Sequence, residues 1–185
     1  DYINSGQWST KAIEEASRYC TVNVAAASED ANFTYAPTQD KWRLNPEAAY
    51  IHYTSNETIG GVEFNWIPDI DPNGDVALVA DMSSHIMSRP VDFSKLAMVV
   101  AGAQKNIGPS GATLVIIRKD ILESCKDGLP AYLSYKTHVP DQSMYNTPPV
   151  FSIYMMKLTM DWMESVGGLP AMEKLAIRRS DLIYN

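Results

Sequence analysis

The chain has 185 residues, 45% hydrophobic and 20% charged, with a formal net charge of −7. That length buries one substantial core, and the balance excludes a disordered chain. The acidic charge without a basic run excludes a nucleic-acid surface, and no apolar run is long enough to cross a bilayer.

The chain opens at Asp1 without an initiator Met and closes at Asn185 inside an unfinished helical pattern. It therefore reads as a fragment of a longer protein. Residues 8–20 predict an amphipathic helix with Trp8, Ala12, Ile13 and Ala16 on one face. Residues 21–26 read as a short buried strand. Residues 27–47 are rich in Ser, Asn, Asp and Pro and read as loop, broken at Pro37 and Pro46. Tyr50 to Thr54 is a β-rich run that ends just before Asn56-Glu57-Thr58. Val76 to Ala80, Leu96 to Ala101 and Thr113 to Ile117 are continuous apolar runs of strand length. Such strands point to a sheet covered on both faces, as in α/β proteins, and short connectors call for one antiparallel pair. Residues 127–146 are irregular. Thr147 with Pro148 reads as a hydroxyl N-cap followed by proline at the first helical position. The helix that follows, to about Ser165, is apolar nearly all round, and Gly167-Gly168 ends it before a last helix from Leu169-Pro170.

Cys20 and Cys125 lie far apart without a CxxC spacing and read as free thiols of a reducing compartment. His52, His85 and His138 share no ligand spacing with acids or cysteines, so no metal site is expected. Ser83 and Ser84 lack a nucleophile elbow, and Glu57 reads as a charged turn residue.

Polar residues just beyond buried strands carry the functional signal, because open α/β sheets bind ligands at the carboxyl ends of their strands. Thr58, Asp81 and Lys105 fall at such ends. An acid after one strand and a lysine after the next suit pyridoxal phosphate. The lysine amine condenses with the aldehyde once it has lost its proton, and burial at a strand end favours that loss. The acid keeps the pyridinium nitrogen protonated, so the ring withdraws electrons from the substrate Cα. On position alone, Lys105 reads instead as a solvated loop lysine and Asp81 as an N-cap or turn residue.

The local sequence separates these readings. Ala101-Gly102-Ala103-Gln104-Lys105-Asn106-Ile107-Gly108-Pro109 resembles the cofactor-lysine segment of phosphoserine aminotransferases, in the class V aminotransferase group. The resemblance extends through Asn56-Glu57-Thr58, Ala80-Asp81-Met82-Ser83-Ser84, Ser88-Arg89-Pro90-Val91-Asp92, Tyr145-Asn146-Thr147-Pro148-Pro149 and Gly167-Gly168, in order from about Gly6 onward. It implies a pyridoxal 5'-phosphate enzyme with Lys105 as the Schiff-base lysine and proton shuttle. Asp81 would pair with the pyridinium nitrogen, Thr58 would bond the phenolic oxygen, and Trp8 would stack on the ring, although Trp8 also fits a core residue of its helix. Gln104 would bind the cofactor phosphate. Asn146 and Thr147 would reach the phosphate held by a neighbouring subunit, and Thr147 also fits a plain helix cap.

The implied fold is the central part of the large domain of the aspartate-aminotransferase type (PLP fold type I), a mostly parallel sheet with flanking helices. Residues 1–165 would belong to that domain and 166–185 to a helix leading towards a smaller C-terminal one. The implied reaction converts 3-phosphohydroxypyruvate and glutamate into phosphoserine and 2-oxoglutarate in serine biosynthesis, in a cytoplasmic homodimer with shared active sites. Another aminotransferase or lyase of the same fold, and an inactive dimerisation or binding fragment, stay open at this point.

Overall fold

A computed structural model describes every residue except 72, 73, 75 and 185, so the closing Asn185 lies outside the described residues. The first strand is β1, Tyr2–Asn4, followed by helix α1, Gln7–Ala16, and strand β2, Val24–Ala27. Next come β3, Tyr50–Thr54, the short hairpin β4, Asn56–Glu57, with β5, Val62–Glu63, and then β6, Ala77–Asp81. Strands β7, Met98–Gly102, and β8, Thr113–Ile117, precede the short helices α2, Lys119–Ser124, and α3, Tyr135–His138. Two long helices follow, α4, Val150–Ser165, and α5, Gly168–Tyr184.

Six strands form one sheet in the order β2-β1-β3-β6-β7-β8. All neighbours run parallel except β7 and β8, which are antiparallel. The sheet is thus mostly parallel with flanking helices, and the single antiparallel pair is the one that the short connectors demanded. β1 escapes sequence reading because three residues carry no usable period. It exists because β2 and β3 hold it on both sides, with Ile3 paired to Ala26 and Tyr53.

One face of the sheet carries the core. Ile3, Ile51, Tyr53, Leu78, Ala80, Val99 and Ala101 alternate along their strands and are buried, joined by Phe64, Ile86 and Ile107 from the loops. On the other face Val79, Met98 and Val100 are only half-buried. The expected cover on both faces is therefore incomplete, because the helices of this chain pack mainly elsewhere: α1 lies against β1, β3 and β4, and α4 against α5.

Two local expectations need correction. The helix read from Pro148 begins at Val150, with Pro149 at the N-cap position and no side chain capping it. Thr147 is therefore not its cap. A residue before proline is pushed out of the helical region, so Pro149 keeps Pro148 extended and delays the start. Helix α1 ends at Ala16, earlier than the period suggested, and continues as a non-helical turn to Tyr19. Between the last two helices, Gly167 and Gly168 take φ of 111° and 68°, which a side chain would resist.

Two consequences are measurable. Phe64 is 1% exposed and packs edge-on against Trp42, Tyr53 and Trp66. Phe64→Ala is expected to cost about 3–5 kcal/mol in urea unfolding, whereas Ile59→Ala, on a residue 63% exposed, changes stability by less than about 0.5 kcal/mol.

His52, whose Nδ1 is buried without a partner, is pushed down to about 4 by desolvation, against the pull of Asp81. His85 is likewise pushed down to about 4, by desolvation and by Arg89, against Asp81. Between about pH 6.5 and 4 the unfolded chain binds protons that the folded chain refuses, so stability falls as pH drops through that window. The expected loss is on the order of 1 kcal/mol per pH unit for each histidine, read as urea midpoints from pH 7 to 4.5. His52→Phe, which keeps the stack on Tyr2, flattens the slope.

Candidate active site

The carboxyl ends of β3, β6 and β7 lie side by side, with Thr54 paired to Asp81 and Asp81 to Val100. Chain segments leaving these ends supply the site. After β3 the chain turns at Ser55, whose backbone N–H (3.0 Å) and hydroxyl (2.7 Å) both donate to the Asp81 carbonyl. It then presents Glu57 and Thr58. After β7 it passes Gln104 to Lys105.

The Lys105 ammonium donates to the Thr58 hydroxyl at 2.5 Å and lies 5.0 Å from the centroid of the Trp8 ring. Three residues separated by up to 97 positions in sequence thus meet around one nitrogen. A cation over an indole is attracted by the ring's negative face. Lys11, one turn further along α1, lies at the same 5.0 Å from that ring. Lys105 and Thr58 are exposed, and Trp8 is 37% exposed. The expected burial of the lysine is therefore absent in this chain. Among the described residues the three side chains stay open to solvent.

Asp81 ends β6 and is fixed on one side only. Its Oδ1 accepts from the backbone N–H of Ser83 at 2.9 Å and from the Ser83 hydroxyl at 2.6 Å. The same hydroxyl oxygen accepts the Gly102 N–H at 3.0 Å, which ties Asp81 to the end of β7. Its Oδ2 has no hydrogen-bond partner among the described residues, and the neighbouring Thr54 hydroxyl is buried and unpartnered. Gln104 folds its amide over Gly102, where a Cβ would lie 2.6 Å from Oε1. Asn106 donates to the Ile86 carbonyl at 2.7 Å and anchors the loop beyond the lysine. Behind that loop stands α4: Met156 packs where a Cβ on Gly108 would sit, and Ser152 donates to the Ser110 carbonyl at 2.7 Å.

The structure thus brings Trp8, Thr58 and Lys105 into contact and sets Asp81 and Gln104 beside them on the same strand ends. It does not bring Asn146 or Thr147 to this group; both are exposed in the segment before α4.

Two residues of the site were read otherwise from sequence. Ser83, dismissed there as a nucleophile, clamps Asp81. Glu57, read as a charged turn residue, is fully buried and accepts hydrogen bonds from the start of α1. The sequence carries no signal for it, because glycine is itself an accepted N-cap residue and Gly6 does not call for a cap from elsewhere.

Known proteins resemble this chain in sequence and in fold. A phosphoserine aminotransferase of Herminiimonas arsenicoxydans is 52% identical over all 185 residues of the chain, which cover 50% of that relative. A solved phosphoserine aminotransferase from Bacillus circulans subsp. alkalophilus superposes with a TM-score of 0.94 at 44% identity, over 99% of this chain and 50% of that one. The PLP-bound phosphoserine aminotransferase of Trichomonas vaginalis superposes at 0.91 with 41% identity, over 100% of this chain and 54% of that one. The chain therefore spans about half the length of the curated relatives it matches. The family model for class-V aminotransferases matches residues 1–185, and the chain belongs to that family.

Proposed function

We propose that this chain is the cofactor-binding part of a phosphoserine aminotransferase, which uses pyridoxal 5'-phosphate to exchange an amino group between glutamate and 3-phosphohydroxypyruvate in serine biosynthesis. The observation that carries the reading is the meeting of Lys105 with Thr58 and Trp8 at strand ends shared with Asp81. The identity of 52% to a curated phosphoserine aminotransferase supports it.

The donor set fits that cofactor. Trp8 offers a partly open indole, Thr58 a hydroxyl, Asp81 an uncommitted carboxylate oxygen, and Gln104 an amide next to the lysine. Trp8, Thr58, Asp81, Gln104 and Lys105 would hold it. When bound, the group supplies an aldehyde for covalent capture of amines and an electron-withdrawing ring.

The chain's residues do the rest. Lys105 Nζ is the attachment point and then the base that moves the proton of the substrate Cα. Asp81 would hold the ring nitrogen and favour its protonated form. Ser83 holds that carboxylate in one orientation. Thr58 would hold the phenolic oxygen through its hydroxyl, and the Trp8 indole would restrain the ring through its flat face. Asn146 and Thr147 serve the phosphate of a neighbouring subunit's cofactor, in a homodimer with shared active sites. Support for that role comes from their exposure and from the apolar face beside them, where Val150, Phe151, Tyr154 and Trp162 of α4 are each at least half exposed. Residues 1–165 belong to the large domain, and 166–185 to a segment whose helix, Gly168–Tyr184, follows a break at two positive-φ glycines. No helix among the described residues is long and apolar enough to cross a membrane. The cytoplasm is the proposed compartment, supported by the free thiols of Cys20 and Cys125.

Borohydride reduction of the cofactor-loaded full-length protein, followed by peptide mapping, is expected to place the pyridoxyl group on Lys105; labelling at Lys95 or Lys119 refutes the assignment. Lys105→Ala should lower transamination by at least about a hundredfold. Phosphoserine should outcompete serine and alanine as amino donor, and equal rates would point to a different aminotransferase.

A further inference from the structure

We infer that Glu57 is a positioning residue for this site: its carboxylate caps α1 from another part of the chain and so fixes the Trp8 indole against Lys105. The inference rests on the cofactor reading above and adds to it a residue that touches none of the reacting groups.

A helix leaves its first N–H groups without partners inside the helix, and a side-chain acceptor at the N-cap ordinarily satisfies one of them. Here the N-cap is Gly6, which has no side chain. Glu57 stands in for it. Its Oε2 accepts the Trp8 N–H at 2.9 Å, and its Oε1 accepts the Ser9 N–H at 2.8 Å and the Ser9 hydroxyl at 2.7 Å. The side chain is 0% exposed, so these donors and the positive end of the helix replace the water that the carboxylate gives up. The fit also accounts for Gly6. A Cβ there would lie 2.6 to 2.8 Å from the Cδ, Cγ and Oε2 atoms of Glu57, so the capping side chain occupies the space of the missing one.

The placement makes this more than a helix cap. Glu57 is bonded to Thr58, whose hydroxyl receives Lys105, while its carboxylate grips the backbone of Trp8, whose ring faces Lys105. Trp8 is 37% exposed, so packing alone does little to hold the indole, and its backbone anchor matters correspondingly more. The grip of Glu57 thus ties the helix start that carries the aromatic face to the turn that carries the hydroxyl. Glutamine cannot replace it. Both carboxylate oxygens face donors, so the amide NH2 must point at either Trp8 or Ser9, donor against donor.

The test uses the full-length protein and two readouts. In the cofactor-free form, amide hydrogen exchange at Trp8 and Ser9 reports the cap directly. Glu57→Gln is expected to lower their protection by about tenfold, and Gly6→Asp placed in a Glu57→Ala background should restore it to within about threefold. The second readout is the Kd for pyridoxal phosphate. Glu57→Gln should weaken it about tenfold in the wild-type background but less than about twofold when Trp8 is already alanine, because the two then act through one element. An equal loss in both backgrounds would overturn the positioning role. So would unchanged protection of the two amides in Glu57→Gln. A parent protein that bound no pyridoxal phosphate would defeat the cofactor reading instead, and the exchange measurement would still decide whether Glu57 holds α1.

Discussion

Four hydrogen bonds converge on Asp81, and the site takes its shape from them. Ser55 donates twice to its carbonyl, and Ser83 donates twice to its carboxylate. The first pair forces the chain to leave β3 at the level where β6 ends, which delivers Glu57 and Thr58 to that edge. The second pair turns the chain sharply after β6 and places the Ser83 hydroxyl where the Gly102 N–H can reach it. That contact fixes the end of β7, three residues before Lys105. Strand ends in a parallel sheet line up along one edge, but lining up does not aim side chains. In this chain the aiming comes from hydroxyls that bridge one strand end to the next.

That bridging explains how a rigid site can be built from exposed residues. Lys105 and Thr58 both face solvent, where an isolated long side chain would sample many rotamers. Their backbones have little freedom. Thr58 follows a fully buried glutamate, and Lys105 is followed by Asn106, bonded to Ile86, and by Ile107, which is fully buried. The Gly108 backbone behind them approaches α4 so closely that Met156 fills the space of its missing side chain. Order is imposed from beneath, and the mouth of the site is left open for a ligand.

Much of the fold was legible because burial leaves a mark on composition. β3 and β8 begin and end where their apolar runs do, and β6 and β7 are displaced by one or two residues towards their polar ends. Those ends belong to the ladder because neighbouring strands pair with them, which composition does not record. The three-residue β1 and the late start of α4 were illegible for different reasons. One is created by its neighbours, and the other is decided by a steric clash between consecutive prolines rather than by a capping hydroxyl. Asp81, Thr58 and Lys105 stood out as polar residues interrupting apolar strands. Glu57 did not, since a carboxylate in a turn looks the same whether water or a helix end receives it.

Trp8 shows why periodicity alone could not settle the site. An aromatic residue on the inward face of an amphipathic helix satisfies the same spacing whether it packs in a core or borders a ligand. Ala12, Ile13 and Ala16 share its face, and the hydrophobic stripe offers no reason to set Trp8 apart. What separates it is its position in the first turn, beyond the edge of the sheet that the rest of the helix covers. There the residue keeps more than a third of its surface exposed and its ring meets two lysine side chains. A core tryptophan loses its water to neighbours of its own chain, whereas this one keeps an open surface beside Lys105. The helix start that places it there is held by Glu57, so the residue least conspicuous in the sequence determines how the most conspicuous aromatic one is used.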